Sequence, residues 1–530
     1  MKTLLISSFL LWVGFVPIQA QDWMDDADFR THYETLRALD PDQVLQAMPK
    51  ARVSDNARNL LTGWAYYQKG NYGQAESFLN KVNREDKSMG KFIAYRAEEL
   101  LKSTEVLKSF KVVDTPHFSI RVQPGRDEVL LFYLEDVLES AYEAYARFFQ
   151  FQPSEKILVE IMPDHVVFSY ASALTKSQIE TTGTVALCVE NRLAVISPRR
   201  VLMGYYWPDV LSHELVHYFL TKISRDHAPL WFQEGVAKYL EARWENPNAA
   251  AMDKHLENAL AQGIAADRWI TLEQMHPSFA ALPTAELAQQ AYAQVASMVD
   301  FLTRRKGPEI IRQIGQGLAT EKEINVHLKR IMGLDYAAIE AEWKEWARNQ
   351  NYQMFDTMAA HGVTLLDNDA KADELNTPEL KNEEQKKHLN LGDLLLERQR
   401  YKAALIQYDK LVQDQAVWPR QIQLRVLRCL EQMDDPDRLL EVVQKQATDL
   451  ENDPTMLKYK AKALAKLNRL PEADATLVRA IRLNPFDPNI QIQRREIAER
   501  LGRKEDILKI NKVLELLSTA PAPPEKDSKS

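Results

Sequence analysis

His213-Glu214-Leu215-Val216-His217 is an HExxH run, and these residue types at this spacing could do metal chemistry. On a helix, positions i and i+4 share one face about a turn apart, so both imidazoles can reach a single ion. Glu214 follows the first histidine, where its carboxylate can act as general base toward an attacking water. Apolar residues flank the run at helical spacing (Val210, Leu211, Leu215, Val216, Phe219, Leu220), which predicts a helix. A catalytic zinc takes three protein ligands and keeps one position open, so a third ligand is needed. Glu234, in Trp231-Phe232-Gln233-Glu234-Gly235-Val236-Ala237-Lys238-Tyr239, is the candidate. It opens a second helical segment after a loop from Ser224 to Pro229, long enough to fold that helix back against the first. The expectation is one zinc per chain on His213, His217 and Glu234, with Glu214 catalytic. A chance match on an exposed amphipathic helix would not also supply the turn and the second helix.

HELVH, followed after sixteen residues by the glutamate of WFQEGVAKY, resembles the gluzincins. Within them it is most similar to the bacterial peptidase-MA-like proteins, whose signature is HExxH and then Trp-x-x-Glu-Gly-x-Ala-x-Tyr. The resemblance runs from Phe110 to Asn351. It implies zinc held by His213, His217 and Glu234, with Glu214 as base. The gap between histidine and glutamate is slightly shorter than in thermolysin-like enzymes, which implies a tight loop between the helices. Ala291 to Leu302 is an apolar-striped helix where the family carries a Tyr-led helix. In gluzincins a tyrosine from this later lobe can steady the oxyanion formed at the peptide carbonyl. Tyr292 is the candidate for that role, and a packed core tyrosine is the competing reading. Tyr239 reads as structural.

The elements that must position these residues begin near Phe110. Phe118 to Val122 alternates and meets Pro124-Gly125, which predicts a strand and a turn. Glu128 to Gln150 reads as a long amphipathic helix and Lys156 to Met162 as a second strand. Gly183 to Ile196 reads as one or two further strands with a tight turn at Glu190-Asn191. This order suits a zincin-like domain, in which a small sheet packs on the active helix and its edge strand borders the cleft. Edge strands take extended peptides by strand addition. His117 and His165 read as surface or strand-end residues. Helices from Ala249 to Ile264, Gly307 to Leu318 and Leu334 to Asn349 are expected to build a helical C-terminal lobe.

Helical patterning flanks this domain. In Leu60 to Val82, Gly63, Tyr66, Gly70, Tyr72, Ala75 and Leu79 sit where a tetratricopeptide repeat places small and aromatic residues. One such repeat cannot make a solenoid, so this segment is expected to pack as a prodomain or cap, a generic helical hairpin being the alternative. Beyond Glu383 the pattern returns at Leu391, Gly392, Leu395, Tyr401, Ala404 and Tyr408, and again from Ala461 to Pro485. Stacked units of this kind form a short α-solenoid with a surface for a protein partner. The expected fold class is therefore α+β, mostly α. The expected organisation is a signal peptide over 1–20, a helical tetratricopeptide-like domain over 21–105 and a gluzincin-like zinc peptidase domain over 106–355. A linker over 356–382, a solenoid over 383–517 and a disordered tail over 518–530 complete it.

Bulk properties narrow the function classes. The 530 residues carry a net charge of −8 with acidic and basic residues interspersed, so nothing points to nucleic acid. The two cysteines, Cys188 and Cys429, lie far apart and read as small buried hydrophobes rather than a disulfide. Met1 to Ala20 has the charged start, short apolar run and small final residue of a secretory signal. The run is too short for a comfortable membrane span, so no span is expected after signal removal. The protein is expected to be exported, periplasmic in a diderm bacterium or otherwise secreted. The leading function is hydrolysis of a peptide or protein substrate. Two rivals are an envelope binding or assembly factor with a non-catalytic zinc domain, and a zinc hydrolase acting on cell-wall crosslinks.

Overall fold

Strand Ile157–Met162 (β3) is buried at every position, and so is Arg192–Ile196 (β5), the pattern of strands covered on both faces. They pair in parallel at the centre of a sheet ordered β1-β2-β3-β5-β4, with β1 Lys111–Asp114, β2 Phe118–Val122 and β4 Ala186–Val189. β2 joins β3 in parallel, while the outer strands β1 and β4 run antiparallel to their neighbours. β4 and β5 form a hairpin whose two turn residues, Glu190 and Asn191, have φ of 55° and 60°. That left-handed pair is what a two-residue turn needs to match strand twist. Patterning does not reveal β1, because its Lys-Val-Val-Asp is mostly exposed. Helix Leu131–Phe149 (α6) crosses from β2 to β3, burying Leu134, Leu138, Ala141, Tyr145 and Phe149 at helical spacing.

A computed structural model describes residues 26–85, 90–172, 184–275, 279, 282–354, 364–366, 383–412, 418–446 and 450–519. The expected signal peptide, most of the linker and nearly all of the tail lie outside these residues. The described fold is α+β and mostly α. It divides into two compact units. Of the described residues, the first comprises those up to 127, within 133–197 and within 208–365; the second comprises those within 128–132, 198–207 and from 366.

In the first unit, helices Ala27–Arg37 (α1), Pro41–Ala47 (α2), Asp55–Gln68 (α3), Tyr72–Leu79 (α4) and Gly90–Leu107 (α5) precede the sheet. Ser54 caps α3 and Asn71 caps α4 through side-chain oxygens. A Cβ on Gly63 would stand 2.7 Å from Leu79 Cγ, so glycine there lets α3 and α4 close together. Their core continues without a break into the sheet, uniting Phe29, Leu60, Trp64 and Ala97 with Met162, Leu187, Ala194 and Ile196. His165, the first residue of helix His165–Ser172 (α7), is 4 % exposed, so the surface reading of that histidine is wrong. It follows the end of β3 by three residues. His117 is the partly exposed one; it lies just before β2 and its Nδ1 is 2.5 Å from the carboxylate of Glu139.

The longer helices that follow in this unit are Trp207–Ser224 (α8), Leu230–Leu240 (α9), Lys254–Ala265 (α10), Ala285–Lys306 (α11), Glu309–Leu318 (α12), Ile324–Met332 (α13) and Tyr336–Arg348 (α14). Trp343 is fully buried on α14, whereas Trp346 stands half-exposed. In the second unit, helices Glu383–Glu397 (α15), Tyr401–Val412 (α16), Arg420–Gln432 (α17), Pro436–Gln446 (α18), Pro454–Lys466 (α19), Leu470–Leu483 (α20), Pro488–Leu501 (α21) and Lys504–Thr519 (α22) pair as successive helical hairpins. Cys188 and Cys429 are both free and buried. No helix among the described residues is long and apolar enough to cross a membrane.

Candidate metal centre

α8 carries the HExxH run through the interior. Leu215, Val216, Phe219 and Leu220 are all buried, so the helix is apolar nearly all round, as buried helices are. His213 and His217 fall one turn apart on one face, each with no exposed surface. Their Nε2 atoms lie 3.1 Å apart. The chain then turns through Arg225 and Asp226, both at positive φ, and re-enters a helix at Leu230. Every residue of α9 from Trp231 to Leu240 is buried. Gly235 sets how near α9 lies to α11, since a Cβ there would stand 2.7 Å from the Val295 carbonyl oxygen. Glu234, its neighbour, is thereby driven against the two histidines. Its Oε2 is 3.6 Å from His213 Nε2 and 3.7 Å from His217 Nε2.

Three ligand atoms in this triangle fit a zinc ion. Tetrahedral ligands about 2.05 Å from zinc stand about 3.3 Å from one another, and the observed edges bracket that value. Among the described residues, His213, His217 and Glu234 are the group able to hold a metal. Both imidazoles are oriented from behind: His213 Nδ1 is 2.9 Å from Glu241 Oε2, and His217 Nδ1 is 3.2 Å from Gln233 Oε1. The Nε2 atoms are thus the ones left for an ion. Electrostatics agree. Burial opposes a charge on His213, yet Glu234 and Glu241 raise its pKa to about 9. Burial likewise pushes Glu234 up, but the two histidines pull it down to about 2. A cation is what this pocket stabilises.

Glu214 stands beside the cluster with neither carboxylate oxygen in a hydrogen bond of ordinary geometry. Burial raises its pKa, opposed by His217 and His213 and, most weakly, by the backbone amide of Cys188. That amide comes from β4, so the edge strand of the sheet does border the site. Tyr292, on α11, is 2 % exposed and packs edge-on against Phe279 at 4.7 Å. Burial lifts its pKa well above the usual phenol value, and Glu234, Glu214 and Glu241 lift it further. It therefore lies close to the acidic cluster. Tyr239 instead has the Arg243 guanidinium over its ring at 4.0 Å, a packing role.

Sequence reasoning missed Glu241, Lys238 and Gln233. Lys238 pairs with Glu241 at 2.9 Å and sits 5.8 Å from the Tyr292 ring. The signal was present: Glu234, Lys238 and Glu241 follow at i, i+4 and i+7, one face of a helix. Asp209 accepts from the Trp244 indole at 3.2 Å.

No curated protein is matched by the chain. Residues 169–349, which enclose the HExxH helix, Glu234 and Tyr292, match the model of the Peptidase MA superfamily, and that stretch is therefore similar to peptidases that are typically zinc-dependent.

Proposed function

We propose that the protein is an exported zinc-dependent peptidase that hydrolyses peptide bonds, with His213, His217 and Glu234 as metal ligands. The observation that carries this is the ligand triangle with a buried Glu214 carboxylate beside it, neither oxygen of which is in a hydrogen bond of ordinary geometry. A structural zinc site fills all four positions with protein ligands, whereas three ligands leave one position open for water, beside which a base is of use. When bound, zinc supplies Lewis acidity to the scissile carbonyl and to the attacking water. Glu214 receives the proton of that water and passes it to the leaving amine. Tyr292 donates a hydrogen bond to the oxyanion that develops on the carbonyl. β4 offers an edge along which an extended peptide is held. The helical hairpins of the second unit support a recruiting surface of the tetratricopeptide kind. The apolar segment at Leu4–Val16 supports export.

The test is zinc per chain in the purified protein, run beside His213→Ala and followed by peptide cleavage with Glu214→Gln. One zinc in the parent, little in His213→Ala, and zinc retained in Glu214→Gln with cleavage lowered about 10²–10⁴-fold are the expected results. Full cleavage by Glu214→Gln would remove the carboxylate from the mechanism. No zinc in the parent after metal supplementation would end the peptidase reading.

A further inference from the structure

His213 and His217 present the same atom to the common centre, yet different chemistry holds them from behind. His213 Nδ1 faces a carboxylate, Glu241, at 2.9 Å. Lys238 Nζ grips that carboxylate, at 2.9 Å and 3.2 Å from its two oxygens. His217 Nδ1 faces a neutral amide, the Gln233 side chain at 3.2 Å, whose nitrogen reaches the Thr221 hydroxyl at 3.5 Å. A carboxylate behind an imidazole stabilises the positive charge drawn off as the opposite nitrogen binds a metal, which strengthens the ligand. An amide oxygen fixes tautomer and ring orientation but stabilises charge far less, because a charge-assisted hydrogen bond is about twice as strong as a neutral one.

The arrangement is built into α9. Glu234, Lys238 and Glu241 share one face, so the helix that supplies the third ligand also supplies the ion pair behind the first. Lys238 has a side chain only 7 % exposed and Glu241 one 19 % exposed. A carboxylate so placed needs a fixed partner, or it would swing toward solvent and leave the histidine; the Oε2 that faces His213 is itself 2.9 Å from Lys238 Nζ. Lys238 is that partner. We propose that Glu241, held in place by Lys238, is a positioning residue that makes His213 the stronger imidazole ligand, while Gln233 only orients His217. This rests on the zinc reading above and adds an asymmetry within it.

The test measures the zinc dissociation constant of the full chain by competition with a chromophoric chelator, and the visible spectrum of the cobalt-substituted protein. The variants are Glu241→Gln, Gln233→Met and Gln233→Glu. Glu241→Gln is expected to weaken zinc about 10–100-fold and to move the cobalt bands, whereas Gln233→Met weakens it about threefold or less. Gln233→Glu places a carboxylate behind His217 and is expected to tighten zinc about tenfold. This gain keeps the inference testable if Glu241→Gln fails to fold, since a merely structural role predicts no gain. A parent that binds zinc with Glu241→Gln binding it equally well overturns the inference alone. So does a loss in Gln233→Met as large as that in Glu241→Gln, or no gain in Gln233→Glu. A parent without zinc overturns the peptidase reading itself.

Discussion

Tyr292 is the residue at which packing and chemistry make opposite forecasts. Its ring lies in the core against Phe279, while its hydroxyl end is close enough to Glu234, Glu214 and Glu241 for their charges to raise its pKa. Tyr292→Phe keeps the ring and removes the donor. An oxyanion donor predicts a fall in kcat of about 10²–10³-fold with the melting temperature near that of the parent. A core tyrosine predicts unchanged kcat, and steady-state kinetics on a cleaved peptide decides between them. Glu139 is a second residue whose environment forecasts a measurement. Burial pushes its pKa up, but the Thr115 hydroxyl and the side chain and amide of His117 bring it below the ordinary value of 4.5. A carboxylate with a depressed folded pKa adds stability above its unfolded pKa, and that stability is lost as pH falls through the folded one. Parent and Glu139→Gln should therefore differ in melting temperature at neutral pH and converge below about pH 4. A gap that stays constant into acid would show that Glu139 acts through its shape rather than its charge.

α9 shows how one glycine at a crossing fixes a functional geometry. Gly235→Ala places a methyl 2.7 Å from the Val295 carbonyl oxygen and 2.8 Å from Val299 Cγ2, so α9 and α11 must separate. Overpacking of this kind costs about 1–3 kcal/mol, and the displaced helix carries Glu234 and Tyr292's neighbours with it. Lower zinc occupancy and a lower melting temperature should appear together. Gly73→Ala on α4, where an added Cβ meets nothing within 4 Å, is the control: zinc occupancy should stay the same and the melting temperature should not fall. The contrast also explains what was legible in the sequence. His213, His217 and the strands β2 to β5 were readable because each depends on a local period, i and i+4 or alternation. Glu234 was readable because a loop and a second helix brought it back. Glu241 was overlooked because it falls at the C-cap of α9, where periodic reading stops, although its spacing from Glu234 was correct. β1 was unreadable because an exposed four-residue strand gains its pairing from β2 and not from its own composition.

At the scale of the first unit, the helices before the sheet pose the question of whether they can be shed. As a removable cap they would meet the sheet through an exposed, largely polar seam. Instead Arg192 of β5 and Glu160 of β3, neither with exposed surface, pair at 3.1 Å beneath α3 and α4. Arg192 donates to the Tyr67 carbonyl at 2.8 Å and to the Tyr72 hydroxyl at 2.9 Å, and Tyr72 donates to Glu160. At the hairpin turn, Glu190 accepts from Trp64, Gln68 and Arg96. Removing α1–α5 would expose Leu187, Ala194 and Ile196 and leave this buried charge network without half its partners. A chain beginning after Leu107 is therefore expected to be insoluble or unfolded. A point test separates the charge network from the lost apolar area. Arg192→Met strands the Glu160 carboxylate and should cost about 3–5 kcal/mol in urea unfolding, while Arg192→Met with Glu160→Met should recover part of that loss. A truncated chain that stays folded, binds zinc and cleaves peptides faster would instead make these helices an inhibitory prodomain, and the Arg192–Glu160 pair its latch.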